Sequence, residues 1–383
     1  MDPILGDCSL GMLRQRTSEK WRTYPPDVLP AFVAEMDFDP AEQIKDAVRA
    51  MLAAGDLGYP HKGELGHAFA EFAADRLAGW SPDPDLVFAI PGVMTGITEV
   101  IQAITEPGAA VVINPPVYAP FFLRLELAGH RVAEAPLAPA GGSYDLDLDA
   151  LRRALGQPGV GAYLLCNPHN PVGRVWSREQ LTEVADLCDR RGVPVLVDEI
   201  HAPLVLPGAE HVPFHALEHP AAKRAVVFTS ASKGWNIPGL KCGIAVAGQP
   251  GSAGILAQRW DALLASHLGV HASIAALRSA RRWLDAAVAQ VVANTRVLTA
   301  LLAEHLPGAR YREPQASFLA WIDFREMELG DDPAAEFLAR GKVALSHGPD
   351  FGSQGRGFAR LNLGTSPELI AEAVHRMGVA ITG

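Results

Sequence analysis

Residues 193–201 read VPVLVDEIH, and this stretch decides the fold class. Val193–Val197 is a short, unbroken apolar run, the pattern of a strand buried on both faces, and it breaks abruptly into Asp198, Glu199, Ile200 and His201. Just before it, Ser177-Arg178-Glu179-Gln180 has the Ser-x-x-Gln spacing of a capping box, which predicts a helix over Arg178–Arg191 that stops at Gly192. A helix delivered by a short turn into a buried strand is half of a βα unit.

The same unit recurs outward from this point. Leu86–Ile90, Ala109–Ile113, Ala162–Cys166, Ala225–Thr229 and Gly243–Ala247 are further apolar runs, and helices are expected over Val93–Thr105, Ala119–Ala128 and Leu148–Leu155. Such alternation implies α/β architecture, a mostly parallel sheet with helices on both faces. After Gly248 the pattern changes. A long helical region runs through Leu301, including an Ala-rich stretch from Gly254 to Leu277 that Gln258, Arg259, Asp261, His267 and His271 interrupt. Alternating strands near Ser317–Phe324 and Phe358–Leu363 and a closing helix over Pro367–Met377 complete a smaller α+β domain. The expected division is a large domain over 46–280 and a small domain from 1–45 and 281–383.

Composition limits the function classes. The chain has 383 residues, 49% hydrophobic and 20% charged, enough apolar material for a sizeable core. A net charge of −10 without a Lys/Arg-rich run argues against nucleic acid or an anionic membrane as the main partner. Cys8, Cys166, Cys188 and Cys242 form no CxxC pair; free thiols in a reducing compartment are expected, although four cysteines leave two bridges formally possible. The N-terminal residues lack the signal-peptide pattern and no run reaches 18 apolar residues, so a soluble cytoplasmic protein is expected. HExxH, Cys/His metal spacing, a Walker A motif and Gly-x-Ser-x-Gly are all absent, and no metal is expected.

In sheets of this kind ligands bind beyond the carboxyl ends of the strands. There the sequence places Asp198 and His201, then Ser230-Ala231-Ser232-Lys233, then Asn167-Pro168-His169-Asn170, and Pro91-Gly92-Val93-Met94 opening a helix. An acid, a lysine, an amide and a helix N-terminus converge on one edge.

With these motifs stand Ala34-Glu35-Met36-Asp37-Phe38, Gly58-Tyr59, Asn114-Pro115-Pro116-Val117-Tyr118, Asn236-Ile237-Pro238-Gly239-Leu240 and Arg360-Leu361-Asn362. Together and in this order they resemble a fold-type I pyridoxal 5′-phosphate (PLP) enzyme of the class I/II aminotransferase superfamily. Within it the chain is most similar to the cystathionine β-lyase-like C–S lyases, the group typified by the maltose-regulon modulator. The resemblance implies the PLP-dependent transferase fold and a role for each residue. Lys233 would join the cofactor aldehyde and then move the substrate Cα proton. Asp198 would pair with the pyridine nitrogen, Asn170 with the ring 3′-oxygen, and Tyr118 would stack on the ring, with His201 nearby or simply packed. Gly92, Val93 and Met94 would offer backbone amides to the phosphate, joined by Ser230, Ser232 and Lys241. Lys241 departs from the Arg that many relatives carry, and a lysine acts as a point charge where Arg forks. Arg360 would grip the substrate carboxylate, the bland alternative being a structural ion pair. Tyr59 would reach the phosphate of a neighbouring subunit, making the protein a homodimer with a shared site; otherwise it is a core tyrosine in a turn.

The implied activity is β-elimination on L-cystathionine or another L-cysteine S-conjugate, giving thiol, pyruvate and ammonia. An aminotransferase, or a decarboxylating or oxidatively deaminating variant, would use the same residues. A regulatory binding protein is the alternative of a different class. Too few residues precede Ala34 to expect an added DNA-binding domain, and Gly352–Gly357 (GSQGRG) is expected as a flexible loop near Arg360.

Overall fold

The structure, a computed structural model, describes residues 1–259 and 263–382. A seven-stranded sheet holds, in spatial order, Val87–Ile90, Gly243–Ala247, Val226–Thr229, Val195–Asp198, Val160–Cys166, Ala110–Ile113 and Arg131–Glu134. Gly243–Ala247 runs antiparallel to both neighbours, and the other adjacent pairs are parallel. Period-two alternation divides each central strand between two apolar layers. Val111, Leu164, Leu196 and Phe228 pack on one face with Ile97 and Phe121, while Val112, Leu165, Val197 and Val227 pack on the other with Leu181 and Val184.

The expected helices form where their local chemistry dictates. Arg178–Arg191 begins at a reciprocal cap: Ser177 Oγ accepts from the Gln180 amide at 3.3 Å, and Gln180 Oε1 accepts from the Ser177 amide at 3.0 Å. It ends at Gly192, whose φ of 65° is the left-handed closure that glycine adopts without strain. The neighbouring helices are Val93–Ile104, Pro120–Leu127 and Leu148–Leu155.

Beyond this sheet, Arg310–Tyr311, Leu319–Asp323, Phe358–Asn362 and Ser346–His347 make a four-stranded antiparallel sheet. The helices Arg281–His305 and Pro367–Thr382 pack on each other. Arg281–His305 is long and apolar enough to cross a membrane, but Trp283, Leu284, Ala287, Val291 and Leu298 along it are buried in the protein core. All four cysteines are free and buried.

Two expectations are corrected. Among the described residues the region from Gly248 to His305 holds the α-helices Pro250–Gln258, His267–Ser279 and Arg281–His305, so the Ala-rich stretch is not one helix. Ser266 Oγ caps the second by accepting from the Gly269 amide at 3.2 Å. Asp261 lies outside the described residues. The segment Gly352–Gly357 is no bare loop either; it follows a 3-10 turn at Gly348–Phe351 and contains another at Ser353–Gly355. Its glycines serve close packing, since a Cβ on Gly355 would stand 1.9 Å from the Gly348 carbonyl oxygen.

Candidate active site

The strands Val160–Cys166 and Val195–Asp198 end level, with Cys166 opposite Asp198. The loop residues that follow are tied to these ends: the Asn167 amide donates to the Asp198 carbonyl at 2.9 Å, and the Glu199 amide to the Phe228 carbonyl at 2.7 Å. Beyond them lies a cavity of about 160 Å³. Its wall contains Asp198, Lys233, Asn170, Tyr118 and His201, and at one end Val93 and Met94. Ala34, Cys166 and Ile200 complete it.

Lys233 rides on the short helix Ala231–Gly234, which Ser230 caps. Its Nζ donates to the Ala34 carbonyl at 2.6 Å. Burial, then the Arg360 charge, push the amine down to about 8, against the opposing pull of Glu35 and Asp198. Asp198 is buried, and its Oδ1 accepts from the Ile200 amide at 3.0 Å. Burial raises this carboxyl to about 7; the Ile200 hydrogen bond and Lys233 oppose the rise and Glu199 adds to it. Amine and acid are thus both drawn toward neutrality in one buried pocket.

Arg360 lies on Phe358–Asn362 behind the Asn170 wall. Its Nη1 donates to Asn170 Oδ1 at 3.0 Å, and its Nη2 to the Phe32 carbonyl at 3.2 Å and to Ser346 Oγ at 2.9 Å. The guanidinium sits over the Phe351 ring, 4.9 Å from its centre. These hydrogen-bond partners are uncharged, Nε is buried without a partner, and burial lowers the group to about 10. The structure therefore shows no structural ion pair here among the described residues, and the positive charge is available to an incoming anion.

At Val93 and Met94 the cavity wall has backbone donors. Helix Val93–Ile104 starts at Gly92 with no side-chain cap, so its first N–H groups lack acceptors within the helix. A Cβ on Gly92 would meet nothing within 4 Å, which marks open space beside those donors. Ser230 is buried, donates to the Cys242 carbonyl at 2.7 Å and accepts from the Ser232 amide at 3.0 Å. Ser232 is half-buried, and Lys241 is exposed with φ 53°, its charge depressing Lys233. Gly92 and Ser232 adjoin wall residues in sequence, Ser230 and Lys241 lie three residues before and eight after Lys233, and none of the four forms the wall. Tyr59 is 90% exposed, which removes the core-tyrosine reading and leaves it off the cavity of its own chain.

His201 is buried, and burial, followed by the charges of Lys233 and Arg360, lowers it to about 3. It is neutral, its Nδ1 has no partner, and its ring meets the Phe318 ring edge-on. Tyr118 is held in its phenol form by burial and by the nearby Asp198 charge.

Sequence reasoning missed several contributors. The Ala34 and Phe32 contacts are made by carbonyls, so no side-chain type announces them, although Ala34–Phe38 is a recognisable motif. Ser346 belongs to a two-residue strand too short for a periodicity signal. Glu199 is buried behind the site, with Oε1 accepting from the Phe214 amide at 2.8 Å and Oε2 facing His211 Nε2 at 3.2 Å. Away from the cavity, Asp56, His267 and His271 bring possible metal-ligating atoms within 4.8 Å of one another.

The aminotransferase class I and II family matches residues 33–377. The chain belongs to the class I and II aminotransferases. Within this family a Mycobacterium leprae relative is 41% identical over 398 residues, covering 98% of each chain. Cystathionine beta-lyase PatB of Bacillus subtilis is 36% identical over 370 residues, 93% of each chain. The crystal structure of cystalysin from Treponema denticola, which contains pyridoxal 5′-phosphate, superposes with a TM-score of 0.91 at 27% identity over 96% of each chain. The class I and II cavity described above fits that group on its own observations. Unpartnered His201 Nδ1, open space at Gly92, uncapped amides at Val93 and a buried acid at Asp198 suit a polar aromatic ring carrying an anionic tail.

Proposed function

We propose that the protein is a PLP-dependent C–S β-lyase acting on L-cystathionine or another L-cysteine S-conjugate. The observation that carries this reading is a single cavity in which the Lys233 amine and the buried Asp198 face one another's surroundings while Arg360 keeps an uncompensated charge beside it. Elimination rather than amino transfer is supported by the full-length likeness to PatB.

PLP supplies an aldehyde that takes up the substrate amine and a ring that accepts the electrons left when the Cα proton departs. Every other task falls to the chain. Lys233 first holds the cofactor and then takes the Cα proton, for which a depressed amine pKa suits it. Asp198 would hold the ring nitrogen protonated, and a cationic partner there would draw the carboxyl back to its ionised form. Asn170 has its Oδ1 occupied by Arg360, which would leave Nδ2 as the donor for the 3′-oxygen. Tyr118 would cover a ring face, and His201 would offer Nδ1 from the wall. Gly92, Val93 and Met94 would bind the phosphate through backbone amides, with Ser230, Ser232 and Lys241 alongside. Arg360 holds the substrate carboxylate. The Cβ–S bond then breaks with its electron pair leaving on sulfur, the thiolate takes up a proton, and water releases the remaining carbons as pyruvate and the nitrogen as ammonia.

Residues 46–280 would form the large domain and 1–45 with 281–383 the small one. Exposed Tyr59 and its exposed neighbour Leu57 support a homodimer in which Tyr59 completes the partner's phosphate site. The reading is that of a soluble, cytoplasmic enzyme.

The test is one assay. Cofactor-loaded protein with L-cystathionine should release thiol and pyruvate continuously with no 2-oxo acid added. Inert cysteine conjugates together with multiple-turnover amino transfer to an oxo acid would replace this reading with an aminotransferase.

A further inference from the structure

Three motifs have no task in the chemistry above: Ala34–Phe38, Asn236 and Asn362. The structure ties them together. The carbonyls of residues 32–35 alternate in direction. Phe32 and Ala34 accept from Arg360 Nη2 at 3.2 Å and Lys233 Nζ at 2.6 Å. Val33 and Glu35 both accept from Asn362 Nδ2, each at 2.7 Å. One residue on, Asn236 grips the same backbone: its Oδ1 accepts from the Met36 amide at 2.8 Å, and its Nδ2 donates to the Met36 carbonyl at 2.8 Å and the Phe38 carbonyl at 3.0 Å. Asn236 follows Lys233 by three residues, and Asn362 follows Arg360 by two. Lys233 and Arg360 are therefore each paired with an asparagine that clamps a common strap.

We propose that Asn236 and Asn362 are positioning residues that fix backbone 32–38 so that its carbonyls hold Lys233 and Arg360 in mutual register. The proposal rests on the reading that these two residues act on one amino-acid substrate. A long lysine side chain has many rotamers, and a fixed carbonyl acceptor selects one direction for its N–H and hence for its lone pair. The same backbone reaches the guanidinium that grips the substrate carboxylate, so the spacing of the Phe32 and Ala34 carbonyls, carried by two hydrogen bonds, sets the distance between grip and base. A strap released at either clamp loosens that distance without removing a reacting group.

Asn236 has φ 56°, a conformation that Gly and Asp also tolerate. Asn236→Gly therefore removes all three clamps with little backbone strain, and Asn236→Asp retains the acceptor for the Met36 amide while losing both donors. Asn362→Asp keeps the acceptor that serves the Gly364 amide at 2.7 Å but turns a carboxylate on two carbonyls.

The experiment uses the cofactor-loaded protein and reads hydrogen exchange of the Met36 amide, kcat, KM and the pH profile. Asn236→Gly should quicken that exchange, lower kcat by about 10- to 10²-fold, as small misplacements of reacting groups do, and move the Lys233 limb of the profile to lower pH. The last shift follows because a carbonyl acceptor favours the ammonium over the amine. Asn236→Asp, which turns a carboxylate on the Met36 and Phe38 carbonyls, should impair at least as much as Gly. Faster exchange with unchanged kinetics and pH profile would overturn the proposal, as would unchanged exchange or loss of the cofactor itself. If Asn362→Asp does not fold, the Asn236 pair decides alone. The comparison is made on whichever amino-acid reaction the unaltered protein performs, so a wrong substrate shows in that protein and a wrong strap only in the variants.

Discussion

Arg360 Nη1 and Asn170 Oδ1 lie 3.0 Å apart, joining the candidate carboxylate grip to the candidate ring contact. The pairing fixes the amide: with its oxygen committed, only Nδ2 remains to donate into the cavity. Replacing that amide by a carboxylate should close the grip on itself. Asn170→Asp is expected to raise the KM for the amino-acid substrate at least about tenfold, since the buried guanidinium would then hold an internal anion. Steady-state kinetics at several substrate concentrations check this.

Borohydride reduction of the cofactor-loaded protein should fix one adduct, at Lys233, the amine of the cavity wall. Lys233→Ala should lose the adduct and at least about 10²-fold in turnover, the usual worth of a positioned acid–base group. Peptide mass spectrometry identifies the site, and an adduct on another lysine would refute the assignment.

Asp198 predicts a pH effect on the cofactor-free protein. Its folded pKa of about 7 lies above the ordinary carboxyl value, so between about pH 4 and 7 the folded state binds a proton that the unfolded state has lost. The stability contributed by this group should therefore fall as pH rises through that window, by a few kcal/mol at most. Asp198→Asn should flatten the profile. Melting temperatures of the two cofactor-free proteins from pH 4 to 8 provide the comparison, and parallel curves would contradict the burial argument.

Lys241 is exposed, yet close enough in charge to depress Lys233. If it serves the phosphate, Lys241→Gln should weaken PLP retention roughly ten- to a hundredfold, the range of a charge-assisted contact. Equilibrium dialysis measures it; unchanged retention would leave Lys241 as a solvated surface charge.

Tyr59 should become shielded on self-association. Sedimentation should give twice the chain mass, and Tyr59→Ala should weaken PLP binding while leaving the dimer in place. A monomer that retains full activity would exclude a shared site.

The sequence made most of the wall legible because its chemistry sits on side chains at strand ends. Asp198, Lys233, Asn170 and Tyr118 each follow an apolar run that can only be a buried strand. The edge strand Arg131–Glu134 escaped because it is largely uncovered and so carries no apolar run. The Ala34 carbonyl escaped for a deeper reason: a backbone oxygen is common to every residue, and only the three-dimensional path of 32–38 brings it to Lys233. Tyr59 is exposed and off its own chain's cavity, so only the family resemblance points to it.

The reversed strand Gly243–Ala247 has a consequence for how the site assembles. Parallel neighbours must be joined by crossovers that return the chain to the far edge of the sheet, whereas an antiparallel neighbour needs only a local reversal. The chain leaves Thr229 and re-enters the sheet at Gly243 on the same edge, so Ser230, Lys233, Asn236 and Lys241 all fall within one hairpin connection. Its loop-closure entropy is the smallest of any connection between neighbouring strands of the seven-stranded sheet. The lysine-bearing segment can therefore take its shape from near-neighbour contacts as soon as two strands pair, before the distant 32–38 backbone arrives to hold it.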